Sequence, residues 1–155
     1  MRDRAPMKKA LSSCGVFSNE EIVVALELMD IFLNHPQQRD YHFFSCADEQ
    51  DIAVGYICIG KRPMTHGTFD MYWIVTDPAH QGQGVGSMLN AHAEEFVRLN
   101  SGTLLLAETS SKESYAATRA FYLSRGYSEL ARIKDCYAPH DDLITYGKYF
   151  SQLEH

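Results

Sequence analysis

The chain has 155 residues, 45% hydrophobic and 12% aromatic, which is enough for one compact core and too apolar for a disordered segment. Its formal net charge of −6 argues against nucleic acid as the main partner, because phosphate-binding surfaces need clustered Lys and Arg. Four scattered cysteines without a C-x-x-C pair, seven histidines without ligand spacing and no apolar run of membrane-spanning length argue against a disulfide scaffold, a metal centre and a membrane span. With no apolar leader at the N-terminus, reduced thiols and a cytoplasmic location are expected.

The first element in chain order is a short helix over Arg4–Ser13, with Pro6 in its opening turn and Gly15 just past its end. Ser18 and Glu21 have capping-box spacing, and Ile22, Val23, Leu26, Met29 and Leu33 recur at helical intervals up to His35-Pro36. Tyr41–Cys46 and Ile52–Ile59, rich in aromatic and β-branched side chains, read as strands joined by a polar turn. A loop holding Pro63 and Gly67 leads to Phe69–Val75, apolar enough for a central strand. Then come a helix over Gly84–Leu99, a short buried strand over Thr103–Ala107, and a helix over Glu113–Arg125 closed by Gly126. Tyr127–Tyr137 and Leu143–Phe150 make two last strands around the turn Pro139-His140-Asp141-Asp142. The order α-α-β-β-β-α-β-α-β-β predicts one α/β (α+β) domain over residues 1–152, a mixed sheet with antiparallel hairpins and at least one βαβ unit. Leu153-Glu154-His155 looks like the start of an affinity tag.

The stretch Val75-Thr76-Asp77-Pro78-Ala79-His80-Gln81-Gly82-Gln83-Gly84-Val85-Gly86-Ser87 carries the most chemistry. A buried strand ends, Pro78 turns the chain, and three alternating glycines open an amphipathic helix. Glycine lets backbone amides approach a ligand without a Cβ in the way, and a helix start favours an anion by about 0.3–2 kcal/mol. Such a loop suits a pyrophosphate. The Lys and Ser or Thr of a P-loop are missing, and Ser87 stands after Gly86 where a dinucleotide fingerprint departs from G-x-G-x-x-G.

Gln81-x-x-Gly84-x-Gly86 resembles the Q/R-x-x-G-x-G/A motif of the GNAT superfamily of N-acetyltransferases, and the likeness extends over nearly the whole chain. The family's first strand is not evident. The resemblance implies a mostly antiparallel sheet whose central parallel strands, around Ile74 and Leu105, splay apart at one end with helices flanking them. It implies acetyl-CoA as cosubstrate and no metal. The loop Gln81, Gly82, Gln83, Gly84, Val85, Gly86 and Ser87 would then hold the CoA pyrophosphate, with Ile74, Val75 and Thr76 pairing along the pantetheine arm. Many relatives carry a CoA-contacting Asn where this chain has Tyr115.

Along Tyr115–Tyr127, at about 100° per residue, Ala116, Ala117, Ala120, Phe121 and Leu123 share one arc. Tyr122 falls on the far side with Tyr115 and Thr118, so the helix's own core face does not account for it. The family places in this context a Tyr whose hydroxyl protonates the departing thiolate, so the resemblance implies that role for Tyr122. An alkyl ammonium of pKa about 10.4 is only about one part in a thousand free amine near neutral pH, so a base is needed. The resemblance points to Asp70, spaced before Gln81 like the Glu that some members use, while Glu108 on the next strand is a second candidate for the base or for holding a substrate cation. His92 lies with Val85, Leu89 and Phe96 and is expected to be a core histidine; Tyr137, His140 and Tyr146 could line the acceptor side. The expected activity is acetyl transfer to a primary amine of a small molecule or peptide by a monomer or homodimer. The alternative is a non-catalytic acyl-CoA-binding sensor or partner-binding module.

Overall fold

The computed structural model describes residues 2–151; the tag-like residues 153–155 lie outside that range. Its elements follow the predicted order: α1 (Arg4–Ser13), α2 (Asn19–Asn34), β1 (His42–Ala47), β2 (Ala53–Lys61), β3 (Thr68–Thr76), α3 (Val85–Leu99), β4 (Leu104–Ser110), α4 (Ala116–Ser124), β5 (Ser128–Ala138) and β6 (Asp141–Tyr149). The strands form one sheet in the order β1-β2-β3-β4-β6-β5. It is antiparallel at β1/β2, β4/β6 and β6/β5 and parallel at β3/β4, the mixed, mostly antiparallel sheet expected. The parallel ladder joins Thr68–Met71 to Leu104–Ala107 and stops there, although β3 continues to Thr76 and β4 to Ser110. The described residues group into two compact units: those of Met1–Lys61 and Tyr72–Glu95, and those of Arg62–Met71 and Phe96–His155.

In the first unit the predicted capping box starts α2. Ser18 Oγ accepts the Glu21 N–H at 3.2 Å, and Glu21 Oε2 accepts the Ser18 N–H at 2.7 Å, a cap worth about 1 kcal/mol. Met7, Ala10 and Leu11 of α1 and Ala25, Leu26 and Met29 of α2 turn inward at helical spacing onto Ala53, Tyr56 and Val75. Gly55 in buried β2 is required by close approach. A Cβ there would stand 2.8 Å from Val85 Cγ1 and 2.9 Å from the Val75 carbonyl oxygen, so α3 rests almost directly on strand backbone.

Helix α3 corrects one expectation. His92 is exposed, its ring edge-on to Phe44 at 4.5 Å. The buried stripe instead runs through Val85, Leu89, Ala93 and Val97 and takes in Asn90 and Glu94, joined by a 2.8 Å hydrogen bond from Asn90 Nδ2 to Glu94 Oε1. With those two polar residues on the inward side, the stripe is centred further round the helix and His92 falls on its rim.

In the second unit β4 is central, with Leu105 and Ala107 almost fully buried. Side chains alternate along a strand and paired residues share a face. Phe69, Met71, Leu105, Ala107, Ile144 and Tyr146 therefore lie on one face, where the Phe96 ring meets Phe69 edge-on at 6.4 Å. Asp70, Leu104, Leu106, Glu108, Leu143, Thr145 and Tyr149 lie on the other. Strand β5 is an edge strand, exposed from Ser128 to Tyr137, with two register irregularities that twist it away from regular pairing.

Candidate functional site

The glycine loop belongs to the first unit. Ile74, Val75 and Thr76 are the last residues of β3, with Val75 turned into the core beneath α1 and α2. The Asp77 N–H then bonds the Val54 carbonyl at 2.7 Å, and Asp77 Oδ1 accepts the Ala79 N–H at 3.0 Å, which folds Pro78–His80 into a single tight turn. Gln81, Gly82, Gln83 and Gly84 are exposed. Gly82 and Gly84 have φ of +76° and +81°, the left-handed region, and a Cβ at either would meet nothing within 4 Å. The space in front of this loop is open, as a ligand cradle requires. The Met88 N–H bonds the Gly84 carbonyl at 3.0 Å, so the Val85 and Gly86 amides precede the first helical bond of α3. The Val85 side chain is turned away from the loop and lies against Gly55. Gly86 and Ser87 are half-buried in the first turn. A diphosphate fits these residues through amides and helix dipole, without a lysine.

The other candidates belong to the second unit. Tyr122 is 5% exposed, the buried residue of α4, whereas Leu123 from the expected core arc is 55% exposed and Ala117 and Ala120 face solvent. The amphipathicity of α4 is thus the reverse of the predicted one. Small alanines offer little area to bury, while the Tyr122 ring packs 5.7 Å from both Tyr127 and Tyr146 and 5.9 Å from Phe121. The Tyr122 hydroxyl donates to the sulfur of Met71 at 3.8 Å, a weak acceptor. Burial pushes the phenol well above the ordinary tyrosine pKa, so it stays protonated.

Asp70 and Glu108 share the sheet face opposite Met71, so neither carboxylate lies beside the Tyr122 hydroxyl. Asp70 is the third residue of β3, and Arg62 Nη1 bonds its Oδ1 at 2.9 Å. Burial raises the Asp70 pKa, and the Arg62 charge and hydrogen bond oppose that rise without cancelling it. Glu108 is exposed two residues before the end of β4. Tyr115 is half-buried in a short turn ahead of α4, its N–H on the Lys112 carbonyl at 3.0 Å. Of the proposed acceptor-side residues, Tyr146 is buried beneath Tyr122, Tyr137 is exposed on β5, and His140 is a left-handed turn residue held by Asp135.

Sequence reasoning missed the brace that holds α4. Arg119 Nη1 donates to the carbonyls of Ser110 at 2.8 Å and Lys112 at 2.6 Å, one helical turn before Tyr122. Ser110 Oγ in turn donates to buried Asp141, which also pairs with Lys112 Nζ at 3.3 Å. Asp141 had looked like ordinary turn chemistry; its opposite number is 31 residues away. Among the described residues no group of acidic, His or Cys side chains is arranged to hold a metal, and no helix is long and apolar enough to cross a membrane.

Residues 39–129 match the family model described as an acetyltransferase (GNAT) domain. A crystal structure described as an acetyltransferase of the GNAT family from Desulfovibrio desulfuricans is 41% identical, with a TM-score of 0.91 over 95% of this chain and 92% of that one. At 20% identity, the ribosomal-protein-S18-alanine N-acetyltransferase of Escherichia coli shares the fold, with a TM-score of 0.65 over 80% of this chain and 78% of that one. A streptothricin acetyltransferase from Bacillus anthracis, solved with acetyl coenzyme A, shares it at 17% identity and a TM-score of 0.67 over 74% and 65%. No curated protein sequence matches the chain. A family match over more than half the chain, together with a relative 41% identical that shares the fold nearly end to end, establishes that this protein belongs to the GNAT acetyltransferases.

Proposed function

We propose that the protein transfers the acetyl group of acetyl-CoA to a primary amine, with Gln81–Ser87 holding the pyrophosphate and Tyr122 acting as the acid. The observation that carries this is the state of the Tyr122 hydroxyl: buried, kept neutral, and spending its proton only on the thioether sulfur of Met71. A donor so weakly engaged can turn to a better acceptor at little cost. A thiolate sulfur leaving from a thioester is such an acceptor.

In this scheme the amine nitrogen attacks the thioester carbonyl, the C–S bond breaks, and Tyr122 gives its proton to the thiolate. The nitrogen loses a proton to Asp70, to Glu108 or to water. Acid and base serve different atoms, which is compatible with their lying on opposite faces of the sheet in this unit. Ile74–Thr76 would pair with the pantetheine arm and Tyr115 would take a further CoA contact. Where the protein resides is proposed to be the cytoplasm, and its acceptor a small molecule or peptide.

Free-thiol release from acetyl-CoA, measured with a panel of amines, tests the proposal. Amine-dependent release, with acetylated product in equal amount, is expected. Tight acetyl-CoA binding with no release on any amine would leave the sensor function instead.

A further inference from the structure

Resting on the transferase function proposed above, we propose that the Thr109 hydroxyl is a second catalytic donor, hydrogen-bonding the coenzyme A sulfur beside Tyr122. Thr109, Ser110 and Ser111 follow one another at the end of β4, and two of the three hydroxyls are engaged within the protein. Ser110 Oγ donates to Asp141 and accepts the Lys112 N–H at 3.0 Å. Ser111 Oγ accepts the Asp142 N–H at 2.8 Å. Thr109 is as buried as Tyr122, and its hydroxyl oxygen, closed off from solvent, has no hydrogen-bond partner among the described residues. A buried hydroxyl left unpaired costs free energy that a valine of nearly the same shape would not. Buried polar groups are as a rule hydrogen-bonded, so this one calls for an acceptor from outside the chain.

Its place in the sheet identifies that acceptor. Side chains alternate along β4, so Thr109 shares the face of Leu105 and Ala107, with Glu108 on the other. On this face Ala107 pairs with Met71 across the parallel ladder and with Tyr146 across the antiparallel one. Those are the two residues that Tyr122 meets, Met71 through its hydroxyl and Tyr146 through its ring. Thr109 is the next residue of β4 on the same face, about 6.7 Å further along the strand. It lies past the last pair of the parallel ladder, where β4 pairs with β6. Arg119 ties α4 to this stretch through the Ser110 and Lys112 carbonyls. Two hydroxyls without a strong acceptor therefore occupy one face at one end of the ladder.

A sulfur leaving a thioester takes the bonding electron pair and can accept more than one hydrogen bond. In a site screened from water, each donor aimed at that developing charge stabilises it more than it would in solvent. Tyr122 transfers its proton to the sulfur. Thr109, a much weaker acid than a phenol, keeps its proton and contributes a hydrogen bond alone.

Thr109→Val deletes the hydroxyl at nearly constant shape, and Thr109→Ser keeps it. Calorimetry with CoA and with desulfo-CoA, which lacks the sulfur, reads the contact without turnover. At about pH 9.5, above the ordinary thiol pKa of about 8.5, Thr109→Val should weaken CoA binding tenfold or more and leave desulfo-CoA binding unchanged. Thr109→Ser should bind both ligands as the wild type does. The urea midpoint of Thr109→Val should be no lower than that of the wild type, because no hydrogen bond within the protein is lost. Its kcat should fall about tenfold or more, less than the 10²–10³ of an oxyanion-hole donor because sulfur is the weaker acceptor. Equal losses for the two ligands, no loss for either, an unchanged kcat or a lowered midpoint would overturn the assignment while leaving the transferase intact. A wild-type protein that binds CoA and turns over no amine would refute the transferase, and with it any catalytic part for Thr109.

Discussion

The glycine loop and the tyrosine site are built on opposite principles. Around Gly82 and Gly84 there is nothing: the residues are exposed, the backbone is in a conformation that suits glycine, and the neighbouring space is empty. Around Tyr122 there is no space left, with three aromatic rings and a methionine sulfur closing on it. A binding loop must offer unpaired amides to a ligand that brings its own charge. A proton donor must hold its proton at neutral pH, and burial does that by penalising the phenolate. The first kind of site is written in local sequence; the second is made by tertiary packing.

The contrast can be broken by experiment. Tyr122→Phe removes one hydroxyl whose partner is a weak sulfur acceptor, so folding and acetyl-CoA affinity should hold while kcat falls by about 10²–10⁴. Wild-type kcat should also show no alkaline loss up to about pH 10, because the raised phenol pKa keeps the acid protonated beyond the ordinary tyrosine value. Loss of acetyl-CoA affinity in parallel with kcat would make Tyr122 a packing residue. Gly84→Val should do the reverse, weakening acetyl-CoA binding by tenfold or more, about 1.4 kcal/mol, with little effect on saturated turnover. A Cβ at Gly84 meets no protein atom within 4 Å, so the expected cost to folding is chiefly the backbone strain of a positive φ. Unchanged affinity in a folded variant would move the cradle elsewhere.

The smallest effect is expected at Asp70. Its pKa is raised in the fold, so its ionised form is disfavoured there, and the stability associated with the neutral carboxyl is present at low pH and lost as pH rises through the folded pKa. Asp70→Asn removes that titration. Its stability relative to wild type should therefore improve from acid toward neutral pH, as followed by urea midpoints. A relative stability that worsens over that range would mean that the Arg62 pair dominates.

The element order and the α2 cap were legible from periodicity and capping chemistry, which depend on residues a few positions apart. The glycine loop was legible for the same reason: Gln81, Gly84 and Gly86 are neighbours in sequence and act together. The inward side of α4 was not, because five apolar positions outweighed one tyrosine on a helical wheel that knows nothing of Tyr127 and Tyr146. His92 failed similarly, since nothing local says that Asn90 and Glu94 are paired and buried. Asp141 and Arg119 were invisible because their partners, Ser110 and Lys112, meet them only through the register of β4 with β6 and the docking of α4.

The seclusion of Tyr122 also bears on timing. A hydroxyl that gives its proton to a departing sulfur must recover one before the next cycle, and at 5% exposure beside Met71 it has no ready exchange with bulk water. Met71 has no proton to return. Recharging must then use the proton freed from the amine, or wait until the thiol has left and solvent can reach the ring. The enzyme's cycle would thus contain a reset separate from bond making, and a solvent isotope effect on kcat with none on kcat/KM would be its trace.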